Sequence, residues 1–155
     1  MATLTATITE ALTLNGKDRG STNTLTLTGI NDVYHRIVTC PASADTTIAS
    51  FRTALSGVRS FLDIENAKYI RVTNLDGTNS INLSLQVSLA ESSTADASAT
   101  ILIEAGKSFI MGSPHDGITV DDDAAAIVTS LNDLESLLVD PSSNEVQVEV
   151  FIATT

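Results

Sequence analysis

Thiol and imidazole chemistry in this chain rests on three residues, Cys40, His35 and His115. A structural zinc site takes four nitrogen or sulfur ligands at short spacings, so the supply is too small. A strand-borne metal site with histidines two residues apart is excluded too, because each histidine stands alone. Cys40 precedes Pro41 and reads as a buried thiol, since free cysteine is among the most buried residue types. Ser113-Pro114-His115-Asp116-Gly117 places a nucleophile, a base and a carboxylate close in sequence. A triad, however, is assembled from separate elements by geometry, and a run of this kind reads as a polar turn. Asp121, Asp122 and Asp123 offer hard oxygen ligands to Ca²⁺ but lack the alternating spacing and distal glutamate of an EF-hand loop. They read as a solvated acidic loop that also supplies an N-cap. The expectation is therefore no catalytic residue, no cofactor, and at most a weak cation site at those three aspartates.

The elements that would carry these residues are strands. Leu4, Ala6 and Ile8 alternate with Thr3, Thr5, Thr7 and Thr9, the period of two that marks a half-buried strand. Leu12 and Leu14 extend that pattern. Asn15-Gly16-Lys17-Asp18-Arg19-Gly20 then tolerates positive φ, and Thr24 to Thr28 alternates again, which predicts a hairpin. Further strands are expected at Tyr34 to Thr39, Lys68 to Thr73, Ile81 to Leu89, Thr100 to Ile103, Ser108 to Met111 and Val146 to Ile152. Two regions are ambiguous. Ile48, Phe51, Leu55 and Val58 also fall at helical spacings, although the β-branched content of Thr46 to Leu55 favours a strand. Leu131, Leu134 and Leu138 permit one short helix within Asp123 to Leu138, stopped by Pro141.

Eight or nine short strands separated by turn signals predict an all-β fold, a two-sheet antiparallel sandwich, jelly-roll-like, with at most one short helix. No linker or internal repeat divides the 155 residues, so a single domain over 1–155 is expected. The core is aliphatic and β-branched, with four Phe, two Tyr and no Trp. Scarce aromatics also weigh against a sugar-binding face, which would have to use Tyr34 or Tyr69.

With a formal charge of −11, the field of the protein repels phosphate backbones and anionic lipid. Neither nucleic acid nor a membrane is an expected partner. Met1 to Thr5 lacks the basic-then-apolar order of a signal peptide, and a lone cysteine suits a reducing cytoplasm as the place of synthesis.

Asn15 to Asp18, Lys68 to Asp76, Glu104-Ala105-Gly106-Lys107-Ser108-Phe109 and Val148 to Ile152, in that order and spacing, resemble small virion proteins of tailed phages of marine bacteria, cyanobacteria especially. The resemblance implies a virion structural protein made in the host cytoplasm. It points first to a capsid cement or decoration protein that bridges major capsid subunits, and alternatively to a tail, knob or fibre component with receptor or glycan binding. The implied partners are the major capsid protein or other virion proteins and further copies of the chain itself. The segments expected to make those contacts are the N-terminal strand, the Glu91 to Ser98 loop and the Asp116 to Asp123 loop.

Overall fold

The structure is a computed structural model that describes residues 1–51, 62–88, 97–120 and 127–155. Eight strands form the body: β5 (Asp32–Cys40), β6 (Thr46–Ser50), β7 (Ala67–Asn74), β8 (Ile81–Ser88), β9 (Ala97–Ile103), β10 (Ser108–Met111), β11 (Asp133–Asp140) and β12 (Val146–Thr154). They make two antiparallel four-stranded sheets, ordered β10-β7-β12-β5 and β6-β11-β8-β9. Counted along the body, the orders are 6-3-8-1 and 2-7-4-5, so the chain alternates between sheets as in a jelly roll. The all-β sandwich expected from the alternation is the fold observed.

Alternation decides what is buried. Val146, Val148, Val150 and Ile152 of β12 share one core with Ile81, Leu83 and Leu85 of β8, all within 2% of complete burial, and Val87 is equally buried. Tyr34 also points inward, its hydroxyl donating to the Ile48 carbonyl at 3.2 Å. The buried amide of Asn74 satisfies itself locally, donating to the carbonyls of Asn79 and Ile103 and accepting from the Asp76 amide.

Of the segment expected to permit a helix, Asp123 to Leu138, the described residues 127–138 form none. Residues 127–132 are irregular, and Leu134 and Leu138 lie in strand β11; the N-cap at Asp121 to Asp123 lies outside the described residues. Leu131 is exposed and Leu138 lies on the opposite face from Leu134, so the three share no buried stripe, and within the strand a bulge breaks the period of two. Leu134 pairs with Val87 and Ser136 with Gln86, so Glu135 is an extra residue and Leu134 and Leu137, three apart, both face inward. The same device explains the other ambiguous region. Leu137 pairs with Ala49 and Leu138 with Thr47, leaving Ile48 as the extra residue, and Ile48, Ala49 and Phe51 are all buried. Thr46–Ser50 is a strand, as expected; residues 52–61 lie outside the described residues. Among the described residues the helical content is one 3₁₀ turn, Ile64–Asn66, capped by Asp63, and no helix is long and apolar enough to cross a membrane.

The N-terminal strands, read from the sequence as part of the sandwich, form a separate arm. β1 (Ala2–Glu10) pairs antiparallel with β4 (Ser21–Ile30), and β2 (Thr13–Leu14) with β3 (Lys17–Asp18), joined through Asn15 and Gly16 at φ of 52° and 74°. Asn-Gly at positive φ is the two-residue turn whose twist suits a hairpin. Gly20 is required where the ribbon narrows, because a Cβ there would sit 2.0 Å from the Glu10 carbonyl oxygen.

Candidate functional site

Two clusters and one cleft gather the side chains with chemistry. The first cluster crosses the outer face of the β10-β7-β12-β5 sheet. Glu149 on β12 accepts from His35 Nε2 of β5 at 2.7 Å and from Arg71 of β7 at 2.8 Å. Arg71 also donates to Thr73 Oγ1, which lies 2.8 Å from the Ser108 hydroxyl on β10. Antiparallel register puts these residues side by side: Phe151 sits between His35 and Arg71, and Glu149 between Ile37 and Thr73. The Arg71 guanidinium, then the His35 imidazole, hold the Glu149 carboxyl below the usual carboxylate range. Bonded to one another across β5, β12 and β7, these side chains clasp the strands of the sheet together.

The second cluster is where the Ser113 to Gly117 run arrives. His115 Nδ1 lies 2.9 Å from Oδ1 of Asp133, a carboxylate at the start of β11 that the sequence reading missed; its Nε2 lies 3.3 Å from Asp116 Oδ2. Asp133 Oδ1 also accepts from the Asp116 amide at 2.7 Å, holding the turn in which Asp116 takes a φ of 46°. A hydrolytic triad needs a hydroxyl on the free imidazole nitrogen, and here that nitrogen meets a second carboxylate. His115, Asp116 and Asp133 present ligand atoms within 4.8 Å of one another. Both ring nitrogens lie within reach of those same carboxylates, so the cluster ties the turn to the start of β11. The expected cation residues Asp121, Asp122 and Asp123 lie outside the described residues.

Cys40 is completely buried, and burial pushes its thiol up against a smaller opposing bond from Thr46. An inert structural thiol results. Neither tyrosine offers a free ring face: Tyr69 is 6% exposed and packs edge-on against Phe151, while Tyr34 carries Arg36 over its ring at 5.4 Å.

The cleft lies between the arm and the outer sheet face. Leu4, Ala6 and Leu27 pack with Ile30 on Tyr69, Ala153 and Phe151, forming a small second core apart from the main one. Farther along, Ile8 and Leu25 are 51% and 42% exposed, and a wedge-shaped space of about 520 Å³ opens above Tyr69, Arg71, Ile110 and Phe151. Beyond the wedge, Leu12 and Leu14 project from the tip. The opposite face of the arm is a double rank of exposed threonines, Thr3, Thr5, Thr7 and Thr9 standing across from Thr28, Thr26, Thr24 and Thr22. The N-terminal strand, one of the expected contact segments, lies in this arm. Of the other expected contact loops, residues 91–96 and 121–126 lie outside the described residues, and Ala97 and Ser98 begin β9. No family model matches the chain, and neither a curated protein nor a solved structure shows detectable similarity to it.

Proposed function

We propose that this chain is a structural subunit of a virion, a cement or decoration protein that binds neighbouring major capsid subunits and adds cohesion to the head. The observation that supports it best is the two-part architecture. Among the described residues no buried side-chain polar atom lacks a hydrogen-bond partner, while a long arm displays exposed Ile8, Leu12, Leu14 and Leu25. Apolar side chains displayed together on an extended element favour contact with another protein. The resemblance of the segments at Asn15, Lys68, Glu104 and Val148 to marine phage virion proteins supplies the context. A surface of charge −11 selects basic patches on a partner and keeps copies soluble before assembly.

The direct test is co-sedimentation of the protein with shells assembled from purified major capsid protein. Saturable binding, weakened by Leu12→Asp together with Leu14→Asp, is the expected result. Binding to purified tails and not to shells would move the assignment to a tail or fibre component, and binding to neither would remove the virion reading.

A further inference from the structure

The outer edge of β1 has an unusual composition. Between Ala2 and Thr9, and again between Ser21 and Ile30, the arm contains no charged side chain and no proline, in a chain with 27 acidic and basic residues. Exposed edge strands normally carry such residues to block pairing with other chains. Among the described residues, the arm forms a sheet of two strands only, so each strand has one edge without a ladder partner. An edge this long, uncharged and β-branched is built to be paired or is a hazard.

We propose that the β1 edge pairs antiparallel with the β1 edge of a second copy, about a two-fold axis at Ala6, giving a four-stranded sheet β4-β1-β1-β4. Three observations select this occupant. Thr3-Leu4-Thr5-Ala6-Thr7-Ile8-Thr9 is palindromic in side-chain type. Pairing about Ala6 therefore sets Thr3 against Thr9, Leu4 against Ile8 and Thr5 against Thr7, as an isologous contact requires. Every pair keeps its face, so the partner extends both the threonine rank and the apolar stripe, with Leu4 of one copy beside the half-exposed Ile8 of the other. The repulsion between two copies of a −11 chain is least where they meet along an uncharged strand. The β4 edge is less suited: pairing about Leu25 would set Asn23 against Leu27, and Gly29 at φ +80° interrupts the strand.

The inference rests on reading the arm as a contact element and not on which assembly it joins. Light scattering on the full chain tests it, with variants that keep the fold by far-UV circular dichroism. The wild type is expected at twice the chain mass. Thr5→Lys with Thr7→Lys places like charges opposite each other and gives monomers, as does Thr5→Glu with Thr7→Glu. Mixing the two variants one to one restores the doubled mass. Ala6→Cys, with Cys40 buried and out of reach, should oxidise to a covalent dimer, while Asn23→Cys should not. A monomeric wild type, an unchanged mass for the lysine pair, or equal crosslinking at both cysteines would overturn the pairing. A dimer that binds neither shells nor tails would instead remove the virion reading and leave the pairing intact.

Discussion

The sandwich and the arm obey different rules although both are built from alternating strands. In the sandwich the inward ranks of the two sheets cover each other, and the described inward positions of β8 and β12 are closed off from water. In the arm the same alternation yields an apolar face that meets the sheet near its root and overhangs it near its tip. Alternation alone does not distinguish these outcomes. What separates them is whether a second layer lies opposite, and only the body supplies one. A body with a full core can tolerate an arm that contributes little to stability and is therefore available for contact.

The comparison breaks most sharply on matched truncations. Leu83→Ala, in the centre of β8 and fully buried, should cost about 3 kcal/mol in urea unfolding, the usual range for a leucine cavity that cannot collapse. Ile8→Ala on the arm should cost less than about 0.5 kcal/mol, as exposed substitutions do. Equal losses would mean that the overhanging face is covered in the isolated protein.

Tyr69→Ala acts on the joint between the two regions. The ring is the floor on which Leu4, Ala6 and Leu27 rest, and its loss should release the arm without opening the main core. Amide hydrogen exchange is expected to rise across β1 and β4 and to stay unchanged in β8 and β11. A global loss of protection would show that the arm and the body unfold as one unit.

How much of this was legible in the sequence follows from the same physics. The period of two in β8 and β12 was plain because both strands keep a constant face from end to end. It failed where a bulge at Glu135 or Ile48 inserted one residue and reset the parity, so that Leu134 and Leu137, or Ile48 and Phe51, are buried three apart. The arm strands were legible as a hairpin through Asn15-Gly16, yet their separation from the sandwich was not, since Leu4-x-Ala6-x-Ile8 has the pattern of a body strand. The Asp133 partner of His115 was invisible because 17 residues divide them and only the approach of β11 to the turn joins them. By contrast, the expectation that Ser113 to Gly117 forms a turn needed local chemistry alone, and Asp116 at positive φ fits it.

Gly16→Ala sharpens the comparison from the arm side. The residue sits at φ +74° in open space, so a methyl group meets no clash and the penalty is purely conformational. A left-handed alanine costs about 1 kcal/mol. That cost should appear as increased exchange near Thr13 to Asp18 with almost no change in the urea midpoint, because the tip can fray while the sandwich stays folded. A midpoint shift of the full amount would tie the tip to the global transition.

The smallest expected effect lies under the cleft and reads the arm and body together. The folded-state pKa of Glu149 is lowered by Arg71 first and His35 second, so the unfolded chain binds a proton there more readily than the folded one. Stability from this group is therefore fully present above the unfolded value of about 4.3 and is lost as pH falls through the depressed folded value. Asp76, lowered by the Asn79 and Thr78 amides it accepts from, adds a slope of the same sign in the same acid region. Glu149→Gln should remove part of the acid dependence and leave the part due to Asp76. The difference at neutral pH should be below about 1 kcal/mol, since the group is partly solvated. Urea midpoints measured from pH 3 to 7 separate the contributions, because Asp76→Asn flattens the slope without touching the outer face. If an occupant buries the cleft floor, the Glu149 share should grow in the assembled protein while the Asp76 share stays constant, so the acid profile also reports whether the arm has found its partner.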